Sequence, residues 1–314
     1  MDIPDSTTSI IFHHMIRKRL LSRDELVMAS QKLHRMLESC AICPFKCGVD
    51  RRKSSGGNCG AGPRIEVASV TLHHGEEPPV SGTRGSGTIF FSHCPLHCIF
   101  CQNYPISQFG NGNEYTVKRL AGAMLELQRK GAHNINLVTP THYSPQIVSA
   151  LLIAKDSGLR IPVVYNTGGY ESLNTLRLLE GFVDVYLTDM KYGSDENALR
   201  YSGAPRYVEI NRQAVTEMFR QTGTLQVNDE GIAQRGTIVR HLVLPNGIAG
   251  TEKVLRFLAS LSNEIPVSLM SQYFPAHMAV AMDDICRKVT REEYEQARGL
   301  ILEFGFPNGW MQEE

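Results

Sequence analysis

Three things are scarce in this 314-residue chain: net charge, long apolar runs, and a fourth cysteine where three already stand together. Lys and Arg number 32, as do Asp and Glu, so no overall basic charge points to nucleic acid or to an anionic membrane surface. No apolar run reaches the roughly 18 residues that a membrane span requires. The opening residues, MDIPDSTTSIIFHHMIRKRL, carry acids where a secretory leader would be basic, and their apolar run is very short. Internal repeats are absent, and nothing marks a second α/β unit. What is there, 42% apolar and 20% charged residues, is ordinary for a soluble globular protein. A cytoplasmic protein without nucleic-acid or membrane partners is expected.

Eight cysteines could staple a small secreted fold, but their placement argues otherwise. Cys40, Cys43, Cys47 and Cys59 form one group, Cys94, Cys98 and Cys101 a second, and Cys286 stands alone. Neighbours two or three residues apart bridge poorly but share a metal well, so two metal sites in a reducing compartment are expected. Thiolates are soft donors that suit zinc or iron–sulfur clusters. Four of them close a tetrahedral zinc site or hold an auxiliary iron–sulfur cluster. Three suit a cluster with one iron left open. The competing reading of the second group is a zinc loop completed by a distant cysteine, His93 or His97.

Residues 22–39 read as an amphipathic helix opened by a Ser22–Glu25 capping box, with Leu26, Ala29, Leu33 and Met36 on one face. Residues 40–86 are rich in Cys, Gly, Pro and Arg and show little periodicity, so loops pinned by metal are expected there. From Gly87 a rhythm begins. Strands at 87–91, 135–139, 161–166, 183–189, 237–245 and 266–272 alternate with helices near 116–130, 145–157, 171–180, 194–222 and 251–262. A hairpin is expected at Asn228–Gly231, and a last helix over 291–304, opened by Thr290 and Glu293. Such alternation implies parallel strands, with ligand-binding residues gathered at their C-terminal ends. The first strand runs into the three-cysteine loop. The next three end at Thr139-Pro140-Thr141-His142, Asn166-Thr167-Gly168-Gly169 and Thr188-Asp189-Met190-Lys191.

The loop CPLHCIFCQN (94–103), with Phe100 before its final cysteine, resembles the signature of radical S-adenosylmethionine (SAM) enzymes, over roughly residues 85–275. The resemblance implies an α/β fold, a partial (β/α)6 TIM-like barrel. It implies that Cys94, Cys98 and Cys101 hold a [4Fe-4S] cluster whose open iron chelates SAM. Reductive cleavage of SAM would then give a 5′-deoxyadenosyl radical that abstracts hydrogen from a substrate, with electrons from a donor such as flavodoxin or ferredoxin. Three segments follow: 1–84, a helix and cysteine-rich metal-binding extension; 85–280, the barrel; and 281–314, a helix packing on it.

TDMKY (188–192) resembles the D-x-K of pyruvate formate-lyase activating enzymes, where acid and base lie near cofactor and substrate. With the upstream cysteines, TGGY and RHLVLP, the chain resembles a branch of proteins named after those enzymes. The catalytic candidates are Asp189, Lys191 and His142. The cofactor-binding candidates are Phe100, Asn103, Thr139, Thr141, Asn166, Gly168 and Gly169. The Gly-Gly-Glu segment that many members carry after their second strand is replaced by Thr139-Pro140-Thr141-His142-Tyr143, so a hydroxyl of Thr139 or Thr141 would take over its contact. Plainer roles compete: a turn at Gly168-Gly169, a structural Asp189–Lys191 ion pair, and His241 facing either barrel or helices. The resemblance implies a protein or peptide substrate, with a glycyl-radical activase as one form. The alternatives are modification of a small molecule, a methylation-type reaction or, in another class, a non-catalytic iron–sulfur or zinc scaffold.

Overall fold

The computed structural model describes residues 21–312; the opening residues, on which the leader argument rests, lie outside that range. Helix α1 (Arg23–Arg35) begins where its capping box predicts, with Glu25 N donating to Ser22 Oγ and Ser22 N donating to the Glu25 carboxylate. After the cysteine-rich turns comes β1 (Ile65–His73), a nine-residue strand inside the stretch expected to be loop. A short helix α2 (Pro78–Ser81) leads to β2 (Ser86–Phe91) and the three-cysteine loop. Then follow α3 (Tyr104–Ser107), β3 (Asn113–Tyr115), α4 (Val117–Arg129), β4 (Ile135–Val138), α5 (Ser144–Asp156), β5 (Val163–Thr167), α6 (Leu173–Leu179) and β6 (Val185–Asp189). The helical region expected over 194–222 divides at Gly203-Ala204-Pro205 into α7 (Asp195–Ser202) and α8 (Tyr207–Thr222). Gly203, at φ +61°, closes α7, and Pro205 cannot continue it. The remainder is β7 (Gln226–Val227), β8 (Ala233–Leu242), α9 (Thr251–Leu261), β9 (Val267–Met270), α10 (Arg291–Glu303) and β10 (Gly309–Met311).

One sheet runs β10-β9-β8-β6-β5-β4-β2-β1-β3, with β7 paired to β8 as the expected hairpin. The six strands β2, β4, β5, β6, β8 and β9 are mutually parallel. β1 continues the sheet antiparallel to β2, and β10 parallel to β9. The two ends do not meet, so the barrel is open, as expected for a partial (β/α)6 architecture.

Strand alternation sorts the side chains. Val164 and Asn166, Leu187 and Asp189, Ile238 and Arg240, and Ser268 and Met270 face the barrel interior, where they meet either the cavity or the floor cluster around Val80. Their neighbours Tyr165, Tyr186, Val239 and Leu269 pack against the helices. His241 belongs to this outer set: it is fully buried, with Nδ1 against the Met190 carbonyl and Nε2 against Thr251 Oγ1. It packs beneath the helices rather than facing the barrel.

β1 ends opposite the start of β2, with His73 paired to Ser86. The residues joining them therefore cross the N-terminal end of the parallel strands. There Val80 packs on Val164, Val185, Leu187 and Ile238, and Asn134 Nδ2 donates to the Val80 carbonyl. The segment closes the bottom of the barrel like a plug. Among the described residues, no helix is long and apolar enough to cross a membrane.

Candidate active site

Cys94, Cys98 and Cys101 lie immediately after β2 and line one wall of a cavity of about 500 Å³ at the C-terminal end of the parallel strands. This volume falls within the roughly 300–1,000 Å³ of small-molecule sites. Each sulfur already has a polar neighbour. The Ser202 hydroxyl donates to Cys98 Sγ at 2.9 Å, Leu96 N–H approaches Cys94 Sγ at 3.4 Å, and Ser107 Oγ lies 3.1 Å from Cys101 Sγ. Such hydrogen bonds to sulfur tune an iron–sulfur centre.

Burial raises the Cys94 thiol well above its usual value, and the neighbouring Cys98 and Cys101 raise it further. Burial pushes Cys98 to about 11 against the opposing pull of Lys191. Cys94 and Cys98, both raised by burial, ionise together only against a compensating cation. Among the described residues, no three His, Cys, Asp or Glu side chains converge on a single ion. His97 is held by Gln108 and the Asn58 carbonyl and His93 faces Glu66, so neither completes a zinc site, and three thiols alone suit a cluster with one iron left open. Cys94, Cys98 and Cys101 would hold the cluster, and the adjoining polar cavity would hold SAM.

Asp189 and Lys191 both line the cavity and form an ion pair. Burial works against the Lys191 charge, and Asp189 and Cys98 outweigh it, so the ammonium is held above its ordinary value. Asn103, Thr139, Asn166 and Gly168 also reach the cavity. Thr139 adopts φ +57°, a left-handed conformation that costs a β-branched residue roughly 1–2 kcal/mol. The two glycines have separate roles. A Cβ on Gly168 would meet Leu96 and Lys191 side chains at 2.9 and 3.6 Å, on the cavity side. One on Gly169, at φ +75°, would fall 2.1 Å from the Asp189 carbonyl oxygen, so Gly169 serves close strand-end packing rather than ligand approach.

The other candidates lie behind the wall. Phe100 is buried edge-on to Tyr273, with ring centroids 5.8 Å apart. His142 is 1% exposed, and its Nε2–H donates to the Ser92 carbonyl at 2.7 Å. Burial, followed by Arg51, pushes its imidazole down to about 3, so it is a neutral core residue and does not line the cavity. Val138 faces the cavity by strand alternation, and Thr139, just beyond the end of β4, reaches it through its left-handed backbone before the chain turns away. Thr141 likewise turns away and donates to Glu171 at 2.5 Å.

Glu171 is 1% exposed. Its Oε1 accepts from Thr141 and Thr167, and Oε2 has no partner among the described residues. Burial pushes this carboxyl up to about 7, although the hydrogen bonds from Thr141 and Thr167 hold it down. The folded state then binds a proton that the unfolded chain releases near pH 4.3. Stability should fall by up to about 4 kcal/mol as pH rises from roughly 4.3 to 7, and stay level above. Glu171→Gln should abolish this slope and melt above the wild type at pH 8. Identical pH profiles of the two proteins in denaturant titrations would contradict the assignment.

Sequence reading did not find Glu76, Glu77 and Arg240. All three line the cavity, and Arg240 donates to both carboxylates. Nothing local marks them: the acids sit in the stretch expected to be loop, and the arginine lies 163 residues beyond Glu77.

The N-terminal cysteines are gathered by tight turns, in which Gly48 N donates to Cys40 O, Lys46 N to Cys43 O and Gly60 N to Gly57 O. Cys40, Cys43 and Cys59 are buried and Cys47 is exposed. Burial raises Cys40 and pushes Cys43 to about 12, and the charges of the other cysteines in the group add to both. The four thus share one neighbourhood, though not one with donors already converged on a single ion. All eight cysteines are free.

The sequence profile of the radical SAM superfamily matches residues 88–227, the stretch from β2 to β7. An uncharacterized protein of Methanocaldococcus jannaschii, MJ0674, is 33% identical over 282 residues, covering 86% of this chain and 76% of that protein. Among solved structures, Streptococcus suis SuiB bound to S-adenosylmethionine shares 11% identity at a TM-score of 0.46, over 70% of this chain and 48% of SuiB. The chain thus spans about half the length of SuiB. Methylornithine synthase (PylB) shares 16% identity at a TM-score of 0.44, over 94% of this chain and 76% of that one. With the three-cysteine loop following the first strand of an open parallel barrel, the profile match and the M. jannaschii relative, the chain belongs to the radical S-adenosylmethionine superfamily.

Proposed function

We propose that this protein cleaves SAM reductively and removes a hydrogen atom from a small polar molecule held in the barrel. The observation that carries the reading is the shared cavity: three cysteine sulfurs, the Asp189–Lys191 pair and the Glu76–Glu77–Arg240 group line one space of about 500 Å³. The bound cluster and SAM would supply the radical chemistry. The chain's own residues position and exclude. Lys191 and Asp189 present a fixed charge pair beside Cys98, Asn166 and Asn103 offer amide groups, and the plug shuts the barrel floor against water. A cavity of this size, already shared with SAM, suits a small co-substrate better than a polypeptide segment. The glycyl-radical activase reading rests on sequence resemblance: Asp189-x-Lys191, the upstream cysteines, TGGY and RHLVLP. An external one-electron donor of the flavodoxin or ferredoxin type completes the proposal.

The test is anaerobic reconstitution with iron, sulfide, dithionite and SAM, which should yield 5′-deoxyadenosine and methionine. Lys191→Met leaves Asp189 buried without its cation; it should keep its iron and lose about 100-fold in cleavage rate, the scale for removing one preorganised charged donor. A full cluster with no cleavage, or an undiminished rate in Lys191→Met, would remove the corresponding part of the proposal.

We propose also that Cys40, Cys43, Cys47 and Cys59 close around a second metal, zinc or an iron–sulfur cluster. Metal analysis of a Cys94, Cys98 and Cys101 triple alanine variant should find the one or the other, and finding neither would discard that site.

A further inference from the structure

We infer that the barrel floor is a cation-binding subsite, and that the substrate carries an ammonium or a comparable amine. The inference rests on the radical SAM reading of the same cavity and adds the class of molecule that it takes. Glu76 and Glu77 rise from the plug at the end of the barrel opposite the cysteine loop. Arg240, from the interior face of β8, answers both: its guanidinium donates to Glu77 Oε1 and Oε2 at 2.6 Å each and to Glu76 Oε2. One guanidinium thus serves two carboxylates whose side chains are 7% and 5% exposed.

The rest of the cavity does not restore the balance. Its other fixed charges are Asp189 and Lys191, already paired with each other, and His73 is the further titratable side chain outside the cysteines. Burial alone would push the Glu77 carboxyl up, but the charge and hydrogen bonds of Arg240 more than reverse this, so Glu77 is ionised. A dry floor therefore holds one negative charge in excess, which is costly unless a cation meets it.

The hydrogen bonding points the same way. Asn136 is fully buried and donates through Nδ2 to Glu76 Oε1 at 2.9 Å, while its Oδ1 has no donor among the described residues. Each of the four carboxylate oxygens already accepts one hydrogen bond, from Arg240 or Asn136, and each keeps a second acceptor site that an N–H donor in the cavity can use. A carboxylate or phosphate substrate would meet like charge here, whereas an amine would meet the excess negative charge and donate to the carboxylates.

The test uses the reconstituted holoprotein and three four-carbon probes: 1,4-diaminobutane as the cation, butane-1,4-diol as the neutral analogue and succinate as the anion. Calorimetric titration should show the diamine binding at least about 10-fold more tightly than either of the others. Glu76→Gln should weaken it by at least about 10-fold, as expected when one partner of a buried charge contact is removed. The double variant Glu76→Gln/Glu77→Gln leaves Arg240 without a carboxylate, so succinate should now bind better than the diamine. Circular dichroism checks that the variants are folded, and the reversal of preference is a gain that an unfolded protein cannot give. Failure of the diamine to outbind succinate in the wild type, or unchanged preferences in the double variant, would overturn the inference. SAM cleavage, measured in the same preparation, reports separately on the radical reading. A preparation that cleaves SAM yet ignores the diamine refutes the cationic floor alone.

Discussion

Cys98→Ala should abolish SAM cleavage, with a loss of at least about 1,000-fold, equivalent to about 4 kcal/mol of transition-state stabilisation. Cys98 lies between Cys94 and Cys101 in the loop after β2, and its sulfur accepts the Ser202 hydroxyl at 2.9 Å. With alanine there, two thiols remain, too few to hold a cluster with three of its irons anchored. The side chain is small and almost fully buried, so the fold should survive and the effect should fall on cofactor loading. Iron content and product formation are the measurements. A Cys98→Ala protein that retains cleavage would refute the assignment of the open cluster.

The largest loss of stability is expected from Arg51→Met. Arg51 is 1% exposed, and among the described residues no carboxylate pairs with it. Its guanidinium donates instead to three carbonyls, Ala61 O at 3.0 Å, Gly62 O at 3.1 Å and His142 O at 2.5 Å, and lies 5.7 Å from the centroid of the Tyr143 ring. It thereby ties the cysteine-rich segment to the turn that follows β4. Methionine fills much of the volume but strands three buried acceptors, each of which costs about 1–3 kcal/mol when unsatisfied. The net destabilisation should be about 3–5 kcal/mol, read by urea denaturation, with Arg51→Lys intermediate. A change below about 1 kcal/mol would show that water or backbone adjustment satisfies those carbonyls.

The parts of the molecule legible in its sequence are those written locally. The six parallel strands announced themselves as short apolar runs between amphipathic helices, and both capping boxes, at Ser22 and Thr290, are present as expected. The cysteine loop was legible because its spacing and its place after a strand are both local. β1 was missed although Ile65, Val67, Val70 and Leu72 recur along it, because the flanking Cys, Gly and Pro residues masked the pattern. His142 misled for a different reason: it sits at a strand end, where functional residues gather, but its side chain turns into the core toward Ser92. The barrel floor was invisible, because Glu76, Glu77 and Arg240 meet only once the plug has closed the barrel and β8 has joined β6.

Electron paramagnetic resonance of the reduced, reconstituted protein, recorded before and after adding SAM, tests the central claim most directly. If the cavity beside Cys94, Cys98 and Cys101 presents an open iron to SAM, the cluster signal should change shape and position on addition. It should not change in the Cys98→Ala variant. A wild-type signal that SAM leaves untouched, in protein carrying its full complement of iron, would contradict the account.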